Sequence, residues 1–284
     1  MLRTYYLLTK PGIIFGNLLT TLGGFALASR GVFNPFLLLT TTLGIGFVIA
    51  SACIFNNYID RDIDRKMVRT RSRGFAKGTI STSKAIALAL FLGLLGLAVL
   101  AYFTNFIALS VALLGFLIYV ALYSLWKTRT QYATLIGSIA GALPPVIGYT
   151  AVSARLDAGA LLLFFLLVLW QMPHFYAIAL YRQDDYAAAA IPTLPALKGP
   201  RTTKIHMLLY VAAFFLISLL LALQHTGIAY LAVALPLGAA WIYLSLQGFK
   251  QTDDRLWARA MFRLSLLIIT ALCLIISLEG LYYG

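Results

Sequence analysis

Residues 36–64 read FLLLTTTLGIGFVIASACIFNNYIDRDID. No side chain from Phe36 to Ile59 is charged, and a helix of that length can cross the ~30 Å hydrocarbon core of a bilayer. It then meets Asp60, Asp62 and Asp64, three carboxylates within five positions of a chain with nine acidic residues in all. A carboxylate at the edge of hydrocarbon is costly to keep ionised and demands a compensating charge. Asn57, Asp60 and Asp64 have the i, i+3, i+7 spacing that shares one face if the helix continues through them. They sit near a helix C-terminus, where the macrodipole disfavours negative charge. A divalent cation resolves the conflict, and hard oxygen ligands suit Mg²⁺, which commonly binds through one or two carboxylates plus substrate phosphates. The competing reading is a solvated loop whose acids pair with Arg61, Arg65 and Lys66.

Apolar runs of similar length recur at about 12–29, 36–59, 84–103, 106–125, 133–152, 158–180, 204–224, 227–247 and 260–282. Hydrophobic residues make up 61% of the chain and charged residues 11%, against roughly 25% charged in soluble domains. The runs are continuous and not alternating, which excludes a β-barrel. The sequence therefore predicts an all-α polytopic membrane bundle of about nine transmembrane helices, forming one domain over 1–284. The run Ile13 to Ser29 lacks a cleavage site and is read as retained.

The net charge of +13 points first to nucleic acid, but its distribution does not. Twenty of the 22 Lys and Arg residues fall on the N-terminus and the loops after even-numbered spans, leaving Arg30 and Arg155 for the opposite face. By the positive-inside rule the N-terminus and these loops are cytoplasmic and the C-terminus lies on the far side. The charge is a topology signal, the partner is the lipid bilayer, and no nucleic acid is implied. Cys53 and Cys273 both fall inside spans and read as small apolar fillers.

Connections on the far side are short, while the cytoplasmic ones carry nearly all the ionisable groups, so chemistry is expected at that face. The segment Tyr181-Arg182-Gln183-Asp184-Asp185-Tyr186 echoes the first acidic cluster four spans later. This suggests two pseudo-repeated four-helix halves with a ninth span appended. Gly137, Gly141, Pro144, Pro145 and Gly148 crowd span 5, and Pro173 interrupts span 6. Small residues permit close helix approach, and proline bends a helix and frees backbone groups.

The acidic clusters and the cations Arg65, Lys66, Lys127 and Lys198 describe a pocket for a metal ion and a multiply charged anion, which suits a diphosphate. Tyr123 and Lys127 share a helix face one turn apart, although snorkelling anchors would look the same. Within span 6, Gln171 and His174 lie i, i+3, and polar groups buried in a membrane span are candidate functional residues. Asn17 is a weaker candidate of the same kind, and His206 and His225 look interfacial. No G-x-x-x-x-G-K-[ST], G-x-G-x-x-G or G-x-S-x-G motif is present, so phosphate handling must be metal-based and intramembrane.

These residues resemble a known family, the UbiA-type intramembrane aromatic prenyltransferases, which include the 4-hydroxybenzoate prenyltransferase of ubiquinone synthesis. Asn56-Asn57-x-x-Asp60-x-x-x-Asp64 is similar to its first Asp-rich motif, with Asn57 where many members have Asp. Tyr123-x-x-x-Lys127 is similar to its tyrosine–lysine motif, and Tyr181-x-x-x-Asp185 to the start of its second Asp-rich motif. Within the family the chain looks like the protoheme farnesyltransferase branch. The strings that carry this are TKPGII from Thr9, DRDIDRKM from Asp60, GALPPVIG from Gly141, WQMPHF from Trp170, and DDY from Asp184 followed by IPTLP from Ile191. One departure is Ala189, where the wider family has a further acid. Which of Asp184 and Asp185 meets metal is thereby left open.

The resemblance implies transfer of farnesyl from farnesyl diphosphate to a vinyl group of haem B, with water added, giving haem O and diphosphate. It implies Asp60, Asp64, Lys127 and Tyr123 as catalytic, and Asn57, Arg65, Lys66 and Lys198 on the diphosphate. Mg²⁺ would be held by Asn57, Asp60 and Asp64 with Asp184 or Asp185. His174 and Gln171 would contact haem B, a substrate here, with His174 either ligating iron or orienting the ring through a hydrogen bond. A bacterial inner membrane is the expected location, and no protein partner is indicated. The competing readings are a prenyltransferase acting on an aromatic quinone precursor, a secondary transporter, and a structural membrane subunit.

Overall fold

The computed structural model describes residues 2–282. Among the described residues there is no strand, and nine helices are long and apolar enough to cross a membrane. They are α1 (Pro11–Ser29), α2 (Pro35–Ile59), α3 (Thr82–Phe103), α4 (Phe106–Trp126), α5 (Ala133–Ser153), α6 (Ala158–Tyr181), α7 (Leu194–His225), α8 (Ile228–Gln247) and α9 (Asp254–Gly280). The expected all-α membrane bundle is the one observed.

The four helices that start at the end away from the basic loops each receive a cap for their free N–H groups. Asn34 accepts from Leu37 at 3.0 Å before α2. Asn105 accepts from Ile107 and Ala108 before α4, and Asp157 from Gly159 and Ala160 before α6. For α8 the cap comes from another helix: Glu279 of α9 accepts from Gly227 at 2.8 Å and Tyr230 at 2.9 Å. Two spans start earlier than the hydropathy predicts. α7 begins at Leu194 rather than near 204, kinked at Gly199, whose φ of 79° favours glycine. α9 begins at Asp254 rather than near 260, behind Asp253, which accepts from Arg255 and Leu256. Both additions lie at the polar end. There, buried Lys204 pairs with Asp254 at 2.5 Å and bonds the Gly248 carbonyl at 2.7 Å, tying α7 to α9.

Helix α2 packs on α3 as α6 packs on α7, and α4 meets α5 as α8 meets α9, which parallels the two expected halves. α1 closes the bundle against α5 and α9. The α1–α5 crossing is a backbone contact. A Cβ on Gly24 would stand 1.9 Å from the Pro145 carbonyl oxygen, and one on Gly148 would stand 2.1 Å from that of Thr21. Any larger residue would push the helices apart. α5 itself breaks at Ala142, two residues before the Pro144–Pro145 pair. Beside the main core, Leu8, Ile54, Phe75, Ala85 and Ala89 form a second, smaller one. It fixes the N-terminal helix Leu2–Leu8 and the loop helix Gly74–Lys77 against the ends of α2 and α3.

Candidate active site

Helix α2 stops at Ile59, but its hydrogen-bond register runs on. The Asp60 N–H donates to the Asn56 carbonyl at 2.9 Å and the Asp64 N–H to that of Asp60 at 2.8 Å. The residues that stack down this face are therefore Asn56, Asp60 and Asp64 at i, i+4, i+8. Asn57 lies beside them. All four are 2% exposed. Each carboxylate has its own cation. Asp60 Oδ2 pairs with Lys127 Nζ from the end of α4, and Asp64 takes Arg73 Nη1 at 2.9 and 3.2 Å. Arg73 also reaches Asn57 Oδ1 at 3.4 Å, and Asn57 Nδ2 donates to the Leu8 carbonyl at 2.8 Å. A third cation, Lys10, donates to Asn56 Oδ1 at 2.6 Å. Its backbone is left-handed (φ 52°), which directs this lysine just before Pro11 opens α1.

Two buried acids thus face three cations at one end of the bundle, leaving a positive surplus. Burial pushes the Asp60 carboxyl up, and Lys127 and Lys10 oppose the shift. Burial likewise draws the Lys10 ammonium down to about 8. Asp60 Oδ1 is buried with no hydrogen-bond partner among the described residues. Leaving such an oxygen unsatisfied costs on the order of 1–3 kcal/mol. A cation ligand would satisfy it. Among the described residues no three His, Cys, Asp or Glu side chains are disposed to hold a metal on their own. Two carboxylates and the Asn56 amide oxygen nevertheless form the hard, incomplete oxygen set that Mg²⁺ takes when substrate phosphates supply the remaining ligands. The residues fit that ion.

The second acidic cluster meets the first at its edge. Asp185 Oδ1 accepts from the Val68 N–H at 3.1 Å, which joins the loops after α2 and α6. Asp184 points the other way and pairs with Arg255 at 2.8 Å. Of the expected anion-binding cations, Lys127 is at the carboxylates, and three are not. Arg65 turns to Asp62 and the Ala76 carbonyl, and Lys66 and Lys198 are exposed. Lys10 and Arg73, which sequence reasoning did not single out, occupy those places. Their signal is three-dimensional: the second core seats both segments, and nothing local in the sequence announces it.

Tyr123 ends a π-helical turn, Ile118–Tyr123, and stacks on Tyr119 with ring centroids 5.4 Å apart. Gly137 of α5 lies against the Cδ2–Cε2 side of the ring, where a Cβ would come within 3.0 Å of it. Gln171 donates to the Ser138 carbonyl at 3.2 Å and fills the space left by Gly141. His174 Nδ1 bonds Ser265 Oγ at 2.7 Å, and its ring lies between Trp170 and Phe262, each 4.8 Å away. Both side chains link α6 to neighbouring helices. Asn17 spends its amide on its own helix, donating to the Ile13 carbonyl.

Residues 17–267 match the UbiA prenyltransferase family. The chain belongs to that family. It is 51% identical over 280 residues to the protoheme IX farnesyltransferase of Protochlamydia amoebophila, covering 98% of this chain and 99% of that protein. It is 49% identical to protoheme IX farnesyltransferase 2 of Pseudomonas paraeruginosa, covering 98% and 95%. Among solved UbiA-fold structures, that of a digeranylgeranylglyceryl phosphate synthase superposes with a TM-score of 0.82 at 20% identity, covering 99% of this chain and 98% of that one. A UbiA homologue from Archaeoglobus fulgidus bound to GPP and Mg²⁺ gives 0.69 at 19% identity, covering 96% and 99%. These structures show the same fold.

Proposed function

We propose that this protein transfers a farnesyl group from farnesyl diphosphate to a vinyl group of haem B, with addition of water, giving haem O and diphosphate in a Mg²⁺-dependent reaction. The carrying observation is Asp60, a buried carboxylate with one oxygen unclaimed and the other on Lys127, beside the Asp64–Arg73 pair and Lys10. The acceptor is supported by the relatives near 50% identity over nearly the whole chain, all named protoheme IX farnesyltransferase. That naming does not favour the quinone-precursor or transporter readings.

Asp60, Asp64 and the Asn56 oxygen would hold the ion, with Asp185 facing them across the joined loops. Asn57 would hold Arg73 in place, and Asp184, turned to the surface, would take no part. Bound there, Mg²⁺ would stabilise negative charge on the departing diphosphate. Lys10, Arg73 and Lys127 would neutralise the diphosphate oxygens, Lys127 and Arg73 exchanging a carboxylate partner for a phosphate one. The stacked Tyr119–Tyr123 pair, held beside Gly137, would offer aromatic π-density to the allylic cation. The apolar helices around it would keep water out until the vinyl group has been attacked. Of the proposed haem contacts, Gln171 is held by α5. With Nδ1 of His174 on Ser265, Nε2 is left to meet the macrocycle. The basic loops and this site would face the cytoplasm across a bacterial inner membrane.

The test is mass spectrometry of haems extracted from cells expressing the chain. The expected product is haem B heavier by one farnesyl group and one water. Unmodified haem B together with prenylated 4-hydroxybenzoate would move the protein to the quinone branch.

A further inference from the structure

Helix α4 departs from α-helical geometry where its functional side chains are. Over Ile118–Tyr123 it makes a π turn. One extra residue in a turn rotates everything beyond it by about 100° relative to an uninterrupted α-helix. The directions of Tyr123 and Lys127, and hence the Lys127–Asp60 pair, depend on that turn.

Ser124 is the first residue past it and is 3% exposed. Its hydroxyl donates to the Tyr119 carbonyl, five residues back, at 2.9 Å. A serine hydroxyl has one proton, so with that proton spent Oγ can only accept. What it accepts is Asn56 Nδ2, at 2.9 Å. The amide of Asn56 is then oriented without ambiguity: its nitrogen faces Ser124, and its oxygen faces Lys10 at 2.6 Å. The chain Lys10–Asn56–Ser124–Tyr119 joins the residue just before α1 to α2 and α4, and Asn56 and Ser124 are both buried.

We infer that Ser124 is a positioning residue for prenyl transfer. It holds the π turn that aims Tyr123 and Lys127, and it dictates which end of the Asn56 amide is offered to the ion and the diphosphate. An Asn56 amide turned the other way would present an NH₂ group to Lys10 and to the metal, which repels both. The inference rests on the prenyl-transfer reading above.

Three variants test it: Ser124→Ala, Ser124→Val and Ser124→Thr, the last two matching in volume and differing in the hydroxyl. Two readouts are taken on purified protein in detergent. One is the kcat and the half-saturating Mg²⁺ for haem farnesylation, and the other is calorimetric binding of inorganic diphosphate in the presence of Mg²⁺. With Ser124→Ala and Ser124→Val, kcat and diphosphate affinity should each fall about tenfold or more, the scale of one lost buried hydrogen bond. The KM for haem should stay near that of the native protein, while the melting temperature falls in both because the buried Asn56 amide loses its acceptor; recovery of kcat by Ser124→Thr is the readout that separates positioning from volume. Ser124→Thr should recover most of both losses. Equal losses in Ser124→Thr and Ser124→Val would assign the effect to volume and overturn the inference, as would native kcat and binding in Ser124→Ala. If Ser124→Val does not insert, the Ala and Thr pair carries the comparison. A native protein that farnesylates no haem sinks the reaction reading, whereas an active native protein indifferent to Ser124 sinks only this inference.

Discussion

Asp60 and Glu279 are both acids buried at helix ends, at opposite ends of the bundle, and they are satisfied in opposite ways. Glu279 is 6% exposed, and its two oxygens accept from the backbone N–H groups of Gly227 and Tyr230. It caps α8 and has no unmet need. Asp60 is more deeply buried and leaves Oδ1 with nothing. Burial alone therefore does not mark a carboxylate as functional, because the free N–H groups of a helix N-terminus can satisfy both of its oxygens. An incomplete set of partners does mark it. Location sorts the second acidic cluster instead: the Asp184 side chain is 79% exposed with its partner at the surface, whereas that of Asp185 is 13% exposed and turned to the first cluster's loop.

If the unmet oxygen is what matters, Asp60→Asn should break the contrast hardest. The variant keeps the shape, loses the charge that would hold the ion, and leaves Lys127 without its partner. Haem O formation in membranes of expressing cells should fall by about 1000-fold, with the protein still inserted at native abundance. Activity within tenfold of native would show that Asp60 holds no metal. Next in size is Lys127→Met, with a loss of about 100-fold, since it removes one of three cations from the leaving group and strands Asp60. Here the kcat should carry most of the loss, because charge on the diphosphate grows as its bond breaks. A change confined to KM would assign Lys127 to binding alone.

A contrast between Asp185 and Asp184 sharpens the same point at smaller scale. Asp185→Asn should lower activity about tenfold, and Asp184→Asn, which gives up only an exposed ion pair, should stay within about twofold. Reversal of that order would place the second cluster's functional acid at Asp184.

How much of this was legible in the sequence follows from how far apart the interacting residues are. The bundle was readable because hydropathy is local. It failed only at Leu194–Thr203 and at the start of α9, where a helix continues through polar residues into the interfacial zone and a buried Lys204–Asp254 pair supports it. The shared side of Asp60 and Asp64 was readable from spacing within one helix end, whereas the meeting of Asp60 with Lys127 joins two helix ends. The sequence singled out Asn57 by an i, i+3, i+7 pattern, and the structure stacks Asn56 with Asp60 and Asp64 at i, i+4, i+8; both patterns describe a helical face, and only the side-chain partners separate them. Lys10 and Arg73 looked like ordinary members of a basic, inward-facing set. Lys10 meets Asn56 across 46 residues, and Ser124 meets Asn56 across 68. No window along the chain contains those pairs, and the second small core that seats Lys10 and Arg73 is equally non-local.

The smallest effect on activity should come from Glu279→Gln. One amide oxygen can still accept from one of the two N–H groups, while the NH₂ group faces the other donor, so a buried charge-assisted bond is lost. Stability should fall by about 1–3 kcal/mol, read as a lower melting temperature in detergent, with the kcat for haem farnesylation unchanged. Because Glu279 joins α9 to the start of α8 at the end remote from Asp60, the two readouts separate cleanly. A fall in kcat with an unaltered melting temperature would mean that the far end takes part in the reaction, and the division between a capping acid and a catalytic one would then be wrong.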